Sequence, residues 1–259
     1  MKERALDRDN NKKQKKENFL VSIVWIIFLA LLFRSFAFGS YNIPSGSMLR
    51  TLHEGDYIFV SKWAYGYSRH SLPFSIPIIP NRLFANKPER GDVAVFKLPT
   101  DNRTDYIKRI IGLPGDTVQI VNGQVILNGK TLEYNYKEDY QVNRFKSPRK
   151  TSQGCLNEKT LVYEEILPNG VSYEILNTFD NLPQDNTPVY RVPKDHYFLM
   201  GDNRDNSQDS RFLKKVGFVP FENLVGQAGI IFFSWHWKKV GKNFCLSNVK
   251  WNRAFKLIK

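Results

Sequence analysis

The sequence predicts a mainly β protein with a single transmembrane helix at its N-terminus. Residues 19–38 form a run that is apolar apart from Ser22, Arg34 and Ser35, and β-rich runs separated by turn residues follow it. After residue 40 no long stretch shows a helical period of apolar residues. A chain of 259 residues with 42% hydrophobic residues can bury a sizeable core, so disorder is excluded.

The predicted transmembrane helix covers residues 19–39. Its apolar core at 19–33, FLVSIVWIIFLALLF, is shorter than the roughly 20 residues that a span needs. Continued to Phe38, the run reaches 20 residues, with Arg34 near one end where its side chain can reach the interface. A cleaved signal peptide is the alternative, but the long N-terminal basic segment favours an uncleaved anchor.

Charge predicts the orientation of this helix. Residues 1–18 hold seven Lys or Arg and four acidic residues, whereas few basic residues follow the span closely. Positive charge collects on the cytoplasmic side of membrane helices. We therefore expect residues 1–18 to be a cytoplasmic tail and residues 40–259 to lie outside the cytoplasm.

Turn residues divide the rest of the chain into short strands. Asn-Gly pairs at 122–123 and 128–129 flank the apolar run QVIL, which predicts successive hairpins. Gly-Asp pairs, which are typical of turns, stand directly before three β-rich runs, at 55–56, 91–92 and 115–116.

Three later stretches complete the predicted β domain. Pro-Asn-Gly at 168–170 separates two β-rich runs and predicts another hairpin. The apolar run GIIFFSW at 229–235 is expected to be a buried strand. Residues 135–160 are polar and poor in branched apolar residues, so a loop is expected there.

Composition excludes several classes of protein. Two cysteines, Cys155 and Cys245, cannot form a disulfide scaffold. We expect no metal site, because the four histidines and two cysteines show no ligand spacing. The net charge of +13 would suit nucleic acid, but the apolar N-terminal segment argues against such a partner.

The segment IPSGSM at 43–48 is the first of three with residues that could do chemistry. It lies directly after the predicted membrane helix. A Ser-Gly-Ser turn can expose hydroxyls together with backbone N–H groups, and acyl transfer needs a nucleophile beside such donors. The same residues also form ordinary turns, so this segment alone does not establish catalysis.

The second segment is DYIKRIIG at 105–112. If it forms a strand, Tyr106, Lys108 and Ile110 share one face. A lysine between apolar neighbours is poorly solvated, which lowers the pKa of its amine, and an uncharged amine can act as a general base. The alternative is a strand lysine whose amine simply reaches solvent.

The third segment, GDNRDNSQDSR at 201–211, is a dense polar loop after the apolar run HYFLM. Its alternating Asp and Asn oxygens could bind calcium. Against this, Arg204 and Arg211 lie among the aspartates, and no Glu stands at the twelfth position. A surface turn is the other alternative for this segment.

Taken together, these segments resemble those of bacterial type I signal peptidases. The matches occur in the family's order, directly after the predicted anchor, and frame most of residues 40–235. They are SGSM followed by TL (45–48 and 51–52) for the serine box, RGDVAVF (90–96) for a further box, KRIIGLPGD (108–116) for the lysine box and GDNRDNSQDSR (201–211) for the late box.

The resemblance implies a role for each matched residue. Ser47 would be the nucleophile, and Lys108 would be the general base that takes its proton. Ser45 would supply a hydroxyl to the oxyanion hole, beside the backbone N–H of Ser47. Ser207 would orient the Lys108 amine by a hydrogen bond.

Further residues would support the site or bind substrate. Asp209 and Arg211 would form a supporting ion pair. Small apolar pockets would accept the substrate residues at −1 and −3, which accounts for a preference for Ala-x-Ala before the cut. The residues implied to line these pockets are Ile43, Pro44, Met48, Leu52, Tyr106 and Ile107.

The resemblance also implies a fold and an activity. The fold would be a mostly antiparallel β catalytic core with an inserted β-rich subdomain at about 128–190. The activity would be that of a membrane-bound serine endopeptidase that removes N-terminal signal peptides from exported preproteins at the bacterial inner membrane. It would need no cofactor and no metal, and its partners would be signal peptides, the lipid bilayer and the export machinery.

Some features depart from the family or leave alternatives open. Arg50 stands where the family usually has proline, which predicts a less rigid turn after Met48. Residues 72–84 are either a packed loop or an apolar surface that enters the lipid interface. Outside this family, the alternative function is a membrane-anchored β domain that binds anionic partners through its positive charge without catalysis.

Overall fold

Strands make up most of the described chain in the computed structural model, which describes residues 18–29, 38–72, 75, 79–144, 156–240 and 243–258. The strands are β1 (Phe38–Asn42), β2 (Asp56–Ser61), β3 (Val93–Lys97), β4 (Asp105–Gly112), β5 (Thr117–Val121), β6 (Gln124–Leu127), β7 (Lys130–Thr131), β8 (Glu133–Arg144), β9 (Leu156–Ile166), β10 (Ser172–Asn177), β11 (Tyr190–Arg191), β12 (His196–Met200), β13 (Val219–Pro220), β14 (Leu224–Val240), β15 (Asn243–Val249) and β16 (Lys256–Leu257).

The largest sheet has nine strands. Seven follow the order β1-β2-β14-β3-β4-β12-β13, and β15 and β16 both pair with β14. Every pairing in this sheet is antiparallel. The mainly β, antiparallel fold that the sequence predicts is therefore confirmed.

Two smaller sheets complete the described fold. One has four strands in the order β11-β5-β6-β7, and the other has three in the order β10-β9-β8. Asn122 and Gly123 join β5 to β6 with φ values of 50° and 77°, as a two-residue hairpin turn requires, so this predicted hairpin is confirmed. The three-stranded sheet falls within residues 128–190, and that this region is a separate inserted subdomain stays a prediction.

The expected loop at 135–160 is wrong for the residues that the structure describes. Strands β8 and β9 pair from Glu133–Ile166 to Arg144–Leu156, and residues 145–155 lie outside the described chain. Tyrosines make many of the apolar contacts of this hairpin, as in the stacked rings of Tyr134 and Tyr163, whose centres lie 4.1 Å apart. Aromatic residues favour strands as branched residues do, so a polar, tyrosine-rich segment can form a hairpin rather than a loop.

The run at 229–235 forms a strand, as predicted, but it is only half buried. It lies within β14, where Ile231 is 1% exposed and Gly229 is exposed. One face of this antiparallel sheet covers the core and the other does not, so burial alternates along the strand.

An N-terminal helix covers residues 18–29, and its large apolar side chains are exposed. Within the described residues, no helix is both long enough and apolar enough to cross a membrane. Residues 1–17 and 30–37, which carry most of the predicted tail and much of the predicted span, lie outside the described chain. The predicted end of the span at residue 39 is wrong, because Phe38 and Gly39 pair with β2 as the first residues of β1.

Two other predictions also reach beyond the described residues. Cys155, one of the two cysteines, lies outside the described residues. The apolar stretch 72–84 is described only in part, because 73–74 and 76–78 lie outside.

Candidate active site

The turn that carries Ser47 is fixed from two sides. Residues Gly46–Met48 form a single 3-10 turn, and the Met48 side chain is fully buried in the core of the large sheet. From the opposite side, Asn203 donates its backbone N–H to the Ser47 carbonyl at 3.1 Å. The Asn203 side-chain amide also donates to the Gly46 carbonyl at 2.9 Å. These contacts leave the turn little freedom to shift.

Lys108 lies in β4, in the middle of the large sheet between β3 and β12. Its Nζ is 2.7 Å from Ser47 Oγ and also donates to the Ile107 carbonyl at 2.8 Å. Lys108 is 3% exposed and Ser47 is 8% exposed. The serine hydroxyl and the amine therefore meet in a site from which water is largely excluded.

The pKa of Lys108 is lowered from 10.5 to about 8. Burial is the main cause, because it disfavours the charged amine. The carboxylates of Asp209 and Asp202 act in the opposite direction but do not cancel the effect of burial. Near pH 8, a large fraction of the Lys108 amines is uncharged and able to accept a proton.

The two other serines of the site differ in their surroundings. Ser45 is exposed, and its Oγ lies 3.4 Å from Ser47 Oγ. Ser207 is buried, and the two hydrogen bonds of the Lys108 amine go to Ser47 and Ile107 rather than to its hydroxyl. The expected hydrogen bond between Ser207 and Lys108 is thus not formed in this structure.

Asp209 and Arg211 form a buried ion pair. Arg211 Nε donates to one Asp209 oxygen at 2.8 Å and Arg211 Nη2 donates to the other at 2.9 Å. Burial alone would raise the pKa of Asp209, but the arginine holds this pKa below its ordinary value. Asp209 also accepts the N–H of Gly201 at 3.0 Å, so the pair ties together both ends of the loop around Ser207.

The six residues implied to line substrate pockets fall into two groups. Ile43, Met48 and Leu52 are at most 3% exposed and belong to the core beneath the Ser47 turn. The other three lie nearer the surface: Pro44 is exposed, and Tyr106 and Ile107 are half-buried.

Arg109 and Asp202 form a second buried ion pair that the sequence did not reveal. Arg109 donates two hydrogen bonds to the Asp202 carboxylate, at 2.9 and 2.8 Å. Thr51 donates its hydroxyl to the same carboxylate at 2.5 Å. Both residues lie in matched segments of the sequence, but no local pattern shows that they pair across the fold.

Arg204 and Glu165 form a third buried pair. Two Arg204 nitrogens donate to the Glu165 carboxylate at 2.9 and 2.6 Å, and Tyr173 donates its hydroxyl to the same carboxylate. No signal in the sequence could have found Glu165 or Tyr173, because each lies in a strand well before the loop that it supports.

These arginine contacts argue against calcium binding by residues 201–211. Asp202 and Asp209 are each paired with an arginine. Asp205 accepts the N–H groups of Thr178 and Phe179 at 2.6 and 2.9 Å. The carboxylates of this loop therefore bind arginines and backbone N–H groups, and these contacts hold the loop to the rest of the protein.

A serine hydroxyl beside a buried amine of lowered pKa is an arrangement that can activate a nucleophile. An uncharged amine can take the hydroxyl proton as the oxygen attacks a carbonyl. Amide hydrolysis by such a pair needs no histidine. The geometry thus has the parts that a serine peptidase requires.

Most of the chain matches one family model and several named relatives. The family described as "Signal peptidase, peptidase S26" matches residues 16–235. Signal peptidase I of Rickettsia typhi is 41% identical over 239 residues, covering 88% of this chain and 85% of that protein. Signal peptidase I of Rickettsia akari is 41% identical over 235 residues, covering 88% and 83%.

A solved signal peptidase I from Enterococcus faecalis is also similar. It shares 26% sequence identity, and the match covers 55% of this chain and 97% of that protein's chain, with a TM-score of 0.30. The alternative of a non-catalytic binding domain disagrees with the family match. The chain belongs to the signal peptidase family, peptidase S26, and is a serine endopeptidase.

Proposed function

We propose that this enzyme removes signal peptides from exported preproteins, with Ser47 as nucleophile and Lys108 as general base. The observation that carries the proposal is the 2.7 Å distance between Lys108 Nζ and Ser47 Oγ. Both groups are more than nine-tenths buried. The names of the relatives support the substrate class.

The chemistry would proceed in two stages. The uncharged Lys108 amine accepts the Ser47 proton while Oγ attacks the scissile carbonyl carbon. The resulting ammonium gives its proton to the leaving amine of the mature protein, which leaves the signal peptide as an ester on Ser47. The amine then takes a proton from water, whose oxygen attacks the ester carbon. As the ester C–O bond breaks, the ammonium returns that proton to Ser47 Oγ and the signal peptide leaves with a free carboxyl group.

Neighbouring groups would stabilise the charges that develop. The Ser45 hydroxyl, 3.4 Å from Ser47 Oγ, and the Ser47 backbone N–H would donate to the oxyanion. The buried Ser207 hydroxyl would accept a hydrogen bond from Lys108 once the amine is protonated. Asp209 and Arg211 would keep the loop that carries Ser207 in place.

Rigid apolar walls would select small side chains at substrate positions −1 and −3, as in Ala-x-Ala. Ile43, Met48 and Leu52 belong to the packed core and would form an unyielding floor. Pro44, Tyr106 and Ile107 would form the sides. A larger substrate side chain would have to displace core residues, so it would be rejected.

We propose that the apolar run beginning at residue 19 anchors the enzyme in the bacterial inner membrane, with residues 1–18 in the cytoplasm and the β domain, which begins with β1 at Phe38, outside. The apolar run and the basic tail support this orientation. Ser47 follows Phe38 by nine residues, so the site would lie near the bilayer surface. An anchor there raises the effective concentration of enzyme at membrane-bound preproteins delivered by the export machinery.

The proposal predicts cleavage of a purified preprotein in detergent directly after Ala-x-Ala. Ser47→Ala and Lys108→Ala should each lower the rate by about 10³-fold or more, because neither half of the pair acts alone. The rate for the wild type should rise as the pH passes about 8, the pKa of Lys108. N-terminal sequencing of the product and initial rates from pH 6 to 10 would measure both effects.

Ser40→Ala and Lys130→Ala are matched controls, because both residues are exposed and neither belongs to the segments that form the candidate site. These variants should cleave like the wild type. Cleavage that survives Ser47→Ala, or a folded wild type that cuts no preprotein, would contradict the proposal.

A further inference from the structure

The three-stranded sheet contacts the residue that follows Met48. Leu49 packs against Val162 of β9 and Leu176 of β10, both fully buried, and Tyr140 of β8 packs against the same pair. The apolar face of this sheet therefore lies directly behind the Ser47 turn.

The same sheet also holds the loop on the other side of Ser47. Leu176 donates its N–H to the Asp202 carbonyl at 2.8 Å. The next residue, Asn203, donates to the carbonyls of Ser47 and Gly46. Any shift of β10 would therefore move the residues that contact the Ser47 turn from both sides.

Arg50 joins the Ser47 turn to this sheet by charge. Its Nε donates to Glu174 Oε2 at 2.8 Å, and its Nη2 donates to Glu138 Oε1 at 2.9 Å. The guanidinium carbon also lies 4.9 Å from the centre of the Tyr140 ring. The Arg50 side chain, 19% exposed, is clamped between β8 and β10.

The backbone of Arg50 is strained, which indicates that the contacts of its side chain compensate for the strain. Its φ is 88°, a conformation that favours glycine and disfavours residues with a Cβ. Proline cannot adopt it, because its ring holds φ at about −65°. The family's usual proline would therefore not fit this backbone conformation. The rigidity that a proline would give the turn is supplied instead by the contacts of the Arg50 side chain.

We propose that Arg50 is a positioning residue through which the sheet of β8, β9 and β10 holds the Ser47 turn in its reactive geometry. This inference rests on the proposed function, since it takes Ser47 as the nucleophile. A displacement of about 1 Å at a nucleophile can lower turnover by about 10²-fold.

The clamp requires an arginine rather than any cation. A guanidinium can bond two carboxylates and stack on a ring at once, whereas an ammonium is a single point charge. Glu138 and Glu174 are 55% and 35% exposed, so the ion pairs contribute little to the stability of the fold. Their loss should therefore appear in turnover more than in thermal stability.

Two variants break the clamp from opposite ends. Arg50→Gly removes the side chain while relieving the backbone, and Glu174→Gln removes the charge of the main partner. We expect each to lower kcat about tenfold while KM stays within about twofold, with little change in Tm. Arg50→Lys should recover part of the lost kcat.

Glu164→Gln is the matched control. Glu164 lies on the same sheet and pairs with Lys137 at 3.2 Å, whereas Arg50 pairs with Glu138 and Glu174. It should keep the kcat of the wild type. Preprotein cleavage in detergent, with kcat and KM measured separately, gives the readout.

The outcomes separate this inference from the proposed function. If cleavage depends on Ser47 but Arg50→Gly and Glu174→Gln keep the wild-type kcat, only the clamp is wrong. A kcat that falls merely in step with Tm, or a change in KM alone, would overturn it as well. If Arg50→Gly does not fold, Glu174→Gln decides alone. Cleavage that survives Ser47→Ala would remove both proposals.

Discussion

Lys108 shows how a single residue can be suited to catalysis and unfavourable for stability. Burial lowers its pKa from 10.5 to about 8, which means that the folded protein disfavours the charged amine. The difference between these values corresponds to about 3 kcal/mol. Below pH 8 the amine is charged in both the folded and the unfolded states, so the folded state bears this cost in full.

Lys108→Met should therefore stabilise the protein at pH 7, by up to about 3 kcal/mol. Above pH 8 the folded protein loses the proton while the unfolded chain keeps it up to about 10.5, so the wild type gains stability as the pH rises. The advantage of the variant should fade by pH 10.5. Urea unfolding at pH 7 and 10.5 would measure the difference.

Lys130→Met is the control for this comparison, because Lys130 is exposed. Its effect on stability should be small at both pH values. A Lys108→Met variant that is less stable than the wild type at pH 7 would show that the contacts of the amine outweigh the cost of burying it.

At the scale of elements, the Gly-Asp pairs work by a shared local hydrogen bond. In each pair the glycine has positive φ, and the aspartate that follows accepts a backbone N–H from three residues earlier. Such a turn is specified almost wholly by adjacent residues, which is why the sequence identifies it. The three bonds are His53 to Asp56 at 2.7 Å, Glu89 to Asp92 at 3.0 Å and Leu113 to Asp116 at 2.6 Å.

The loop 201–211 depends instead on close approach between segments. A Cβ added at Gly201 would lie 2.1 Å from Ser207 Oγ and 2.6 Å from the Ser47 carbonyl oxygen. No side chain fits between these atoms without moving the backbone of the Ser47 turn. The glycine thus lets the loop and the turn meet.

Gly201→Ala should lower kcat at least about tenfold and destabilise the protein by about 1–3 kcal/mol, because the new methyl forces Ser47 and Ser207 apart. Preprotein cleavage and urea unfolding would test both effects. Gly229→Ala is the matched control, since a Cβ there would meet only the Phe59 carbonyl oxygen, at 3.8 Å. Equal behaviour of the two variants would contradict the steric explanation.

At the scale of the whole molecule, buried charges join the three-stranded sheet to the site. Glu165 of β9 is fully buried and bonds Arg204 of the polar loop. Tyr173 of β10 bonds the same carboxylate, and the Arg109 guanidinium carbon lies 4.0 Å from the centre of its ring. These contacts fix how the sheet and the loop lie against each other.

Glu165→Gln should destabilise the protein by about 3–5 kcal/mol, because it leaves the Arg204 charge buried without its counter-ion. Urea unfolding at pH 7 would measure the loss. Glu164→Gln is the control from the same strand, since Glu164 pairs with Lys137 at 3.2 Å near the surface and should cost less than about 1 kcal/mol. A Glu165→Gln variant as stable as the Glu164→Gln variant would refute a structural role for the buried pair.

The sequence by itself determined what depends on neighbouring residues. Asn-Gly and Gly-Asp turns, the strands that they bound and the serine, lysine and polar segments are all local patterns. Their backbone bonds form within a few residues, so no knowledge of the fold is needed to read them. The β hairpin at 133–166 was missed because its strands are polar and tyrosine-rich, with few branched residues.

Only the tertiary structure decided which distant side chains meet. Ser47 and Lys108 are brought to 2.7 Å by the packing of a turn against the middle of a sheet. The lowered pKa of Lys108 follows from burial that no local pattern reports. Likewise, the partners of Arg50 and Arg204 lie in strands remote in sequence, and ion pairs act through space rather than along the chain.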